Sequence, residues 1–162
     1  MPEENEKIQE VLLDLILDNA ISFEEESKEF YRIAALKSIS DDTKTILQQL
    51  ALKEDGHIQK LRHLKKSDLN ERLLKIEISD LPAIHGLNRK EWVITAQDDM
   101  KHILEIALER ESTAENFYSG LYRKANDGTI RRLFFLLANE EKQHFEDIKR
   151  LQSKLLNQQG EM

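Results

Sequence analysis

The 162-residue chain contains no cysteine, only two prolines and only five glycines. Without cysteine it cannot build a disulfide framework, an iron–sulfur cluster, a zinc ribbon or a thiol nucleophile. The scarcity of proline and glycine leaves few turns, and the abundance of leucine, lysine, glutamate and glutamine favours helices over strands. The length suits one well-buried core, so we expect a single all-α domain over residues 1–162.

The sequence also lacks long apolar runs and clusters of basic residues. No segment is long and apolar enough to span a bilayer, and the first ten residues contain no apolar signal core. The net charge is −7, and the basic residues form only short pairs such as Arg131-Arg132. These absences argue against nucleic acid and membranes as partners, and we expect a cytoplasmic protein.

What the sequence does contain is a glutamate and a histidine three positions apart, twice: Glu54 with His57, and Glu141 with His144. This spacing places both side chains on one face of a helix, and that face also carries several leucines. Burying a carboxylate costs on the order of several kcal/mol unless a partner compensates it, and a metal ion is one such partner. One pair alone is weak evidence, but two pairs favour a metal site.

The two pairs belong to an internal repeat in which matching residues are 87 positions apart (24 and 111, 54 and 141). Upstream of the pairs, the repeat matches Glu24 with Glu111. It also matches two Phe-Tyr dipeptides that end at Tyr31 and Tyr118. We predict four helices in two pairs, joined by a long crossover at 67–95 that includes a short helix around 69–75. The predicted helices are 6–37, 42–66, 96–125 and 129–157.

Two capping signals set the expected starts of helices 2 and 3. A serine or aspartate within 38–42 should cap helix 2. Thr95, with Asp98 three residues later, should cap helix 3.

The four helices thus present four carboxylates and two imidazoles to one core, a pattern typical of ferritin-like dinuclear bundles. Four carboxylates and two neutral imidazoles carry a charge of −4, which two divalent cations would neutralise. Oxygen ligands with one imidazole per ion suit iron or manganese, and the ligand types also allow zinc. The candidate metal ligands are Glu24, Glu54, His57, Glu111, Glu141 and His144.

Tyr31 and Tyr118 share the inward face with the single glutamates, about 10 Å further along each helix. Across an antiparallel neighbour each phenol could hydrogen-bond a ligand carboxylate. A buried tyrosine with any other partner is an equally good interpretation. Small residues one turn from the glutamates should leave room for a substrate; these are Ala20, Ser27, Ala107 and Ala114. Three histidines are not assigned to the site: His63, His85 and His102.

Together the six candidate ligands and the two Phe-Tyr pairs resemble the rubrerythrin branch of the ferritin-like superfamily, from helix 1 to helix 4. The resemblance implies a di-iron centre that reduces hydrogen peroxide to water or reacts with dioxygen. Glu54 and Glu141 would bridge the two ions, and the other four ligands would be terminal. Haem is not implied, because Asp55 occupies the position of the haem-binding methionine of bacterioferritins.

Two rubrerythrin features are missing. The chain has no rubredoxin cysteines, which implies a separate electron-donor protein, and Ala114 occupies the position of a further metal-binding glutamate. We expect a homodimer. The long crossover would allow helices to be exchanged between its subunits, and the sequence does not decide whether they are. The alternatives are a ferritin-like iron-storage protein, a di-manganese catalase or oxygenase on the same scaffold, and a metal-free bundle.

Overall fold

The chain folds into four long helices. The computed structural model describes residues 1–67, 87, 92–125 and 128–160, and this part of the chain contains no β-strand. The all-α class and the four-helix architecture predicted from the sequence are confirmed. The helices are α1 (Pro2–Lys37), α2 (Asp41–Lys66), α3 (Met100–Lys124) and α4 (Thr129–Gly160).

The helix starts follow local capping chemistry, and one of them differs from the prediction. Ser40 caps α2 as expected, with its Oγ accepting a hydrogen bond from the backbone N–H of Thr43 at 3.4 Å. Helix α3 begins at Met100, later than expected, because Asp99 is the capping residue and accepts from the N–H of His102 at 2.8 Å. The Thr95 pattern instead forms a turn before the helix, where Asp98 accepts from the N–H of Thr95 at 2.6 Å.

The helices form two antiparallel hairpins, α1 with α2 and α3 with α4. Within the first hairpin, Lys28 Nζ lies 2.7 Å from Asp55 Oδ1, and Lys65 pairs with Asp18 nearer the other end. The hairpins meet through α1 with α3 and α2 with α4, and they approach each other less closely than the two helices within each hairpin. The side chains that fill this wider gap include the predicted ionisable residues.

The connection between the hairpins starts and ends at opposite ends of the bundle, as the predicted long crossover requires. The end of α2 lies beside Asp18, whereas Lys37 Nζ donates to the carbonyl oxygens of Thr95 (2.7 Å) and Asp98 (2.8 Å). These two points are separated by roughly 28 Å along α1. Most of the crossover, including the short helix expected around 69–75, lies outside the described residues.

Apolar residues at spacings of three and four line the inner face of each helix. Burying each large side chain contributes about 1.5–3 kcal/mol to the free energy of folding, so this core supplies most of the stabilisation of the bundle. The side chains of the ionisable cluster are buried within this core. None of the described helices has both the length and the apolar character needed to cross a membrane. The core includes Leu13, Ile16, Leu17, Leu47, Leu50, Leu61, Ile103, Leu104, Phe134, Leu137, Ile148 and Leu151.

Candidate metal centre

The structure brings all six candidate ligands together between the two hairpins. Helices α1 and α3 each supply one glutamate, while α2 and α4 each supply a glutamate and a histidine. None of the six side chains is more than 2% exposed. The residues are Glu24, Glu54, His57, Glu111, Glu141 and His144.

The ligand atoms form two groups that share Glu54 and Glu141. One group adds Glu24 and His57, the other adds Glu111 and His144, and the atoms within each group lie within 4.8 Å of one another. Sharing of these two carboxylates is what the predicted bridging role requires. The two imidazole rings lie nearly parallel, 13° apart, with their centroids separated by 5.3 Å.

Both histidines point Nδ1 at the carboxylates. His57 Nδ1 lies 3.0 Å from Glu54 Oε2 and 3.1 Å from Glu141 Oε1. His144 Nδ1 lies 3.2 Å from Glu141 Oε2 and 3.4 Å from Glu111 Oε2. The atoms are close to one another, but their directions do not give them aligned hydrogen bonds.

Each of the six residues buries one polar atom that has no hydrogen-bond partner. Such an atom normally costs about 1–3 kcal/mol, and more when it is charged. Six such atoms gathered in two overlapping groups fit bound cations, which would serve as their common partners. Four carboxylates and two imidazoles are also a donor set that suits a pair of divalent iron or manganese ions. The atoms are Glu24 Oε2, Glu54 Oε2, His57 Nδ1, Glu111 Oε2, Glu141 Oε1 and His144 Nδ1.

The two candidate tyrosines hydrogen-bond glutamates of the opposite hairpin. Tyr31 on α1 donates to Glu111 on α3, and Tyr118 on α3 donates to Glu24 on α1. Both phenols are buried, and burial raises their pKa values well above the usual value, so each hydroxyl keeps its proton. Of the two interpretations that the sequence left open, the contact between a phenol and a candidate ligand carboxylate is the one present, and it occurs on both sides.

The carboxylates of the metal-free cluster differ in charge. Burial, reinforced by the neighbouring Glu54, raises the pKa of Glu24 to about 7, and burial raises the pKa of Glu141 well above its usual value. Burial also acts to raise the pKa of Glu54, but the adjacent imidazoles of His144 and His57 lower it below its usual range. In the metal-free protein Glu54 is therefore ionised, and it lies between the two imidazoles.

The two histidines carry protons in the metal-free protein. Burial lowers the pKa of each imidazole, but the surrounding carboxylates outweigh burial. They raise the pKa of His144 to about 12, and they raise that of His57, whose first carboxylate partner is Glu140, further still. Protons therefore supply the positive charge that metal ions would otherwise bring.

Arg110 is a buried residue near the centre that the sequence reasoning missed. It is 3% exposed, and its Nη2 donates to Ser27 Oγ at 2.8 Å. Ser27 was expected to leave space for a substrate, but the guanidinium occupies that side. The other three small residues are 1% exposed or less, so they line closed core in the described structure. Position 110 matches Phe23 in the repeat. A charged residue at a position that is apolar in the other half of the repeat was the sequence signal that could have identified Arg110 as a buried charge.

Two of the three unassigned histidines are described by the structure, and both lie outside the cluster. His102 is on the surface, near Asp98 and Glu105. His63 lines a groove of about 620 Å³ near the end of α2, and none of the six clustered residues lines that groove. His85 lies outside the described residues.

Two solved structures share this fold. A hypothetical protein from Pyrococcus furiosus has a TM-score of 0.66 and 24% sequence identity, over 90% of each chain. A Thermotoga maritima protein described as a candidate ferritin-like diiron-carboxylate protein has a TM-score of 0.64 and 20% identity. That match covers 87% of this chain and 94% of the other. No curated protein has a significant sequence match to the chain.

The family comparison agrees with the geometry of the site. The rubrerythrin family model matches residues 15–152, a range that contains all six clustered residues and both tyrosines. The chain therefore belongs to the rubrerythrin family.

Proposed function

We propose that the protein is a rubrerythrin-like peroxidase, a di-iron carboxylate oxidoreductase that reduces hydrogen peroxide or dioxygen at a dinuclear centre. The observation that carries this proposal is the set of six buried ligand atoms, one per residue, that lack a hydrogen-bond partner. Glu54 and Glu141 would contact both ions. Glu24 and His57 would hold one ion, and Glu111 and His144 the other.

Two bound ferrous ions would supply one electron each and act as Lewis acids for cleavage of the O–O bond. Reduction of one peroxide to two waters consumes two electrons and two protons. After each turnover a separate electron-donor protein would return the electrons, as the sequence leads us to expect.

The chain's own residues position the carboxylates and exclude water. Tyr31 and Tyr118 fix Glu111 and Glu24 by hydrogen bonds, and each phenol holds its proton at Oη beside the centre. The apolar core around the cluster limits access of bulk water, which strengthens every electrostatic interaction inside it.

Metal content is the first test. Protein reconstituted anaerobically with Fe(II) should contain about two irons per chain by elemental analysis. The double variant Glu54→Ala/Glu141→Ala should lose both ions and peroxide turnover while its circular dichroism stays helical. The surface variants Glu105→Ala and His102→Ala should retain both ions and turnover, because their side chains are about half exposed.

Other results would contradict the proposal in distinct ways. Absence of bound metal after reconstitution would show that the cluster is structural. Preferential retention of manganese together with peroxide disproportionation would indicate a di-manganese catalase. Accumulation of iron well beyond two ions per chain, in an assembly of cage size, would indicate storage.

A further inference from the structure

The outer ring nitrogens of the two histidines differ in their surroundings. His57 Nε2 lies 2.8 Å from Glu140 Oε2 on the opposite hairpin. Glu140 also accepts from Lys60 Nζ at 3.2 Å, which holds the carboxylate in place. Because Nδ1 of His57 faces the ligand cluster, Nε2 is the nitrogen that donates to Glu140.

Within the part of the chain that the structure describes, His144 has no such partner. The repeat places Lys53 at the position that matches Glu140, and Asp147 at the position that matches Lys60. Lys53 Nζ lies 3.6 Å from Asp147 Oδ2, so the two charges pair with each other. No described residue accepts a hydrogen bond from Nε2 of His144, and the charge pattern outside the two histidines is inverted.

A carboxylate on the outer nitrogen of a metal-binding histidine fixes the tautomer, orients the ring and makes the inner nitrogen a better donor. Loss of such a partner typically lowers metal affinity about 10–100-fold. The negative charge also attracts a doubly charged ion more strongly than the single proton that competes for Nδ1. Glu140 therefore favours metal binding at His57, while His144 receives no comparable support.

We propose that the two metal positions are inequivalent, and that the position held by His57 binds a divalent ion more tightly and fills first, with Glu140 as its positioning residue. This inference rests on the proposed dinuclear site. It adds an order of filling and a residue that determines it.

The test is a titration of the metal-free protein with Mn(II). Electron paramagnetic resonance distinguishes free Mn(II), a single bound ion and a coupled pair of bound ions. Wild-type protein should bind in two steps that differ by about tenfold or more in affinity. At one Mn(II) per chain the signal of an isolated bound ion should dominate. The signal of a coupled pair should grow only with the second equivalent.

Glu140→Gln should weaken the first step about 10–100-fold and leave the second step unchanged. The matched variant Lys53→Gln, at the equivalent position of the repeat, should leave the first step unchanged. Lys53→Glu should strengthen the second step, because it offers His144 a carboxylate partner. This gain separates positioning from a merely structural role, since an unfolded or loosened variant cannot bind more tightly.

Two variants that each lack one histidine show which metal position corresponds to each binding step. His57→Ala should remove the tight step, and His144→Ala should remove the weak one. Equal affinities in the wild type, or no effect of Glu140→Gln, would overturn the inequivalence while leaving a dinuclear site intact. Failure of wild-type protein to bind any Mn(II) or Fe(II) would overturn the proposed function and this inference together.

Discussion

Phe23 and Arg110 occupy equivalent positions in the two halves of the repeat, and they contact each other. The guanidinium carbon of Arg110 lies 4.8 Å from the centre of the Phe23 ring. The rings of Phe30 and Trp92 lie 5.4 Å and 5.6 Å from the same carbon. No described carboxylate forms an ion pair with this buried cation, so aromatic faces and Ser27 stabilise it instead.

Arg110→Ala should lower the free energy of unfolding by about 2–4 kcal/mol, because it removes a buried side chain and its aromatic contacts. Arg110→Lys should cost less, since it keeps the charge but loses the planar group. Urea unfolding of the metal-free protein measures both. Arg32→Ala, which removes an exposed ion pair with Glu29, is the control and should change stability by less than about 1 kcal/mol. A cost for Arg110→Ala no larger than that of the control would refute the packing argument.

Removal of either buried phenol hydroxyl should destabilise the metal-free protein. Tyr31→Phe and Tyr118→Phe should each cost about 1–3 kcal/mol, because each leaves a buried carboxylate oxygen without its donor. Thermal unfolding in the presence of chelator measures the cost. Tyr122→Phe is the matched control, since among the described residues its hydroxyl accepts one long hydrogen bond, of 3.3 Å, from Arg131 Nη2. A clear loss in only one of the two buried variants would contradict the reciprocal arrangement.

The two carboxylates shared by the metal groups should respond differently to neutralisation in the metal-free protein. Glu54 has a lowered pKa and is ionised between two imidazoles, so Glu54→Gln should cost about 3 kcal/mol by removing the negative charge that lies between those two cations. Glu141 has a raised pKa and is protonated, so Glu141→Gln should change stability by less than about 1 kcal/mol. Chemical unfolding with chelator at neutral pH compares them, and equal losses would refute this charge assignment. With metal, both variants should bind less tightly.

The stability of the metal-free protein should fall as the pH rises from about 4.5 to 7. The pKa of Glu24 is raised from 4.5 to about 7, so the folded state holds a proton that the unfolded state releases in this range. The stabilisation is present below pH 4.5 and is lost as the pH passes 7, which corresponds to about 3 kcal/mol for this group. The raised pKa of Glu141 acts in the same direction, and the raised pKa values of both histidines extend the fall above pH 6.5.

Urea unfolding at several pH values with chelator tests this dependence. Addition of Mn(II) should reverse the trend, because metal binding displaces protons and tightens as the pH rises. Glu24→Gln should flatten the curve between pH 4.5 and 7. A metal-free stability that increases across this range would contradict the protonated cluster.

The ligand positions could be predicted from sequence because they depend on periodicity within one helix and on the repeat. A spacing of three fixes Glu54 and His57 on one face, and the offset of 87 finds their counterparts. Contacts between side chains of different hairpins depend on the register between the hairpins, which residue spacing within a single sequence does not predict. The contact of Glu140 with His57 and the burial of Arg110 therefore required the structure. Thr95 was the wrong N-cap for α3, because Asp99 also has a side chain that can cap a helix and local sequence does not decide between the two.

The reciprocal tyrosine–glutamate contacts also bear on the history of the chain. Each hairpin supplies the phenol that its partner hairpin needs, so a shorter ancestor paired with its own copy would build the same centre from two identical halves. Duplication and fusion would then free the halves to diverge. The exchange of glutamate for lysine between positions 140 and 53 is the kind of asymmetry that identical subunits cannot acquire and fused ones can.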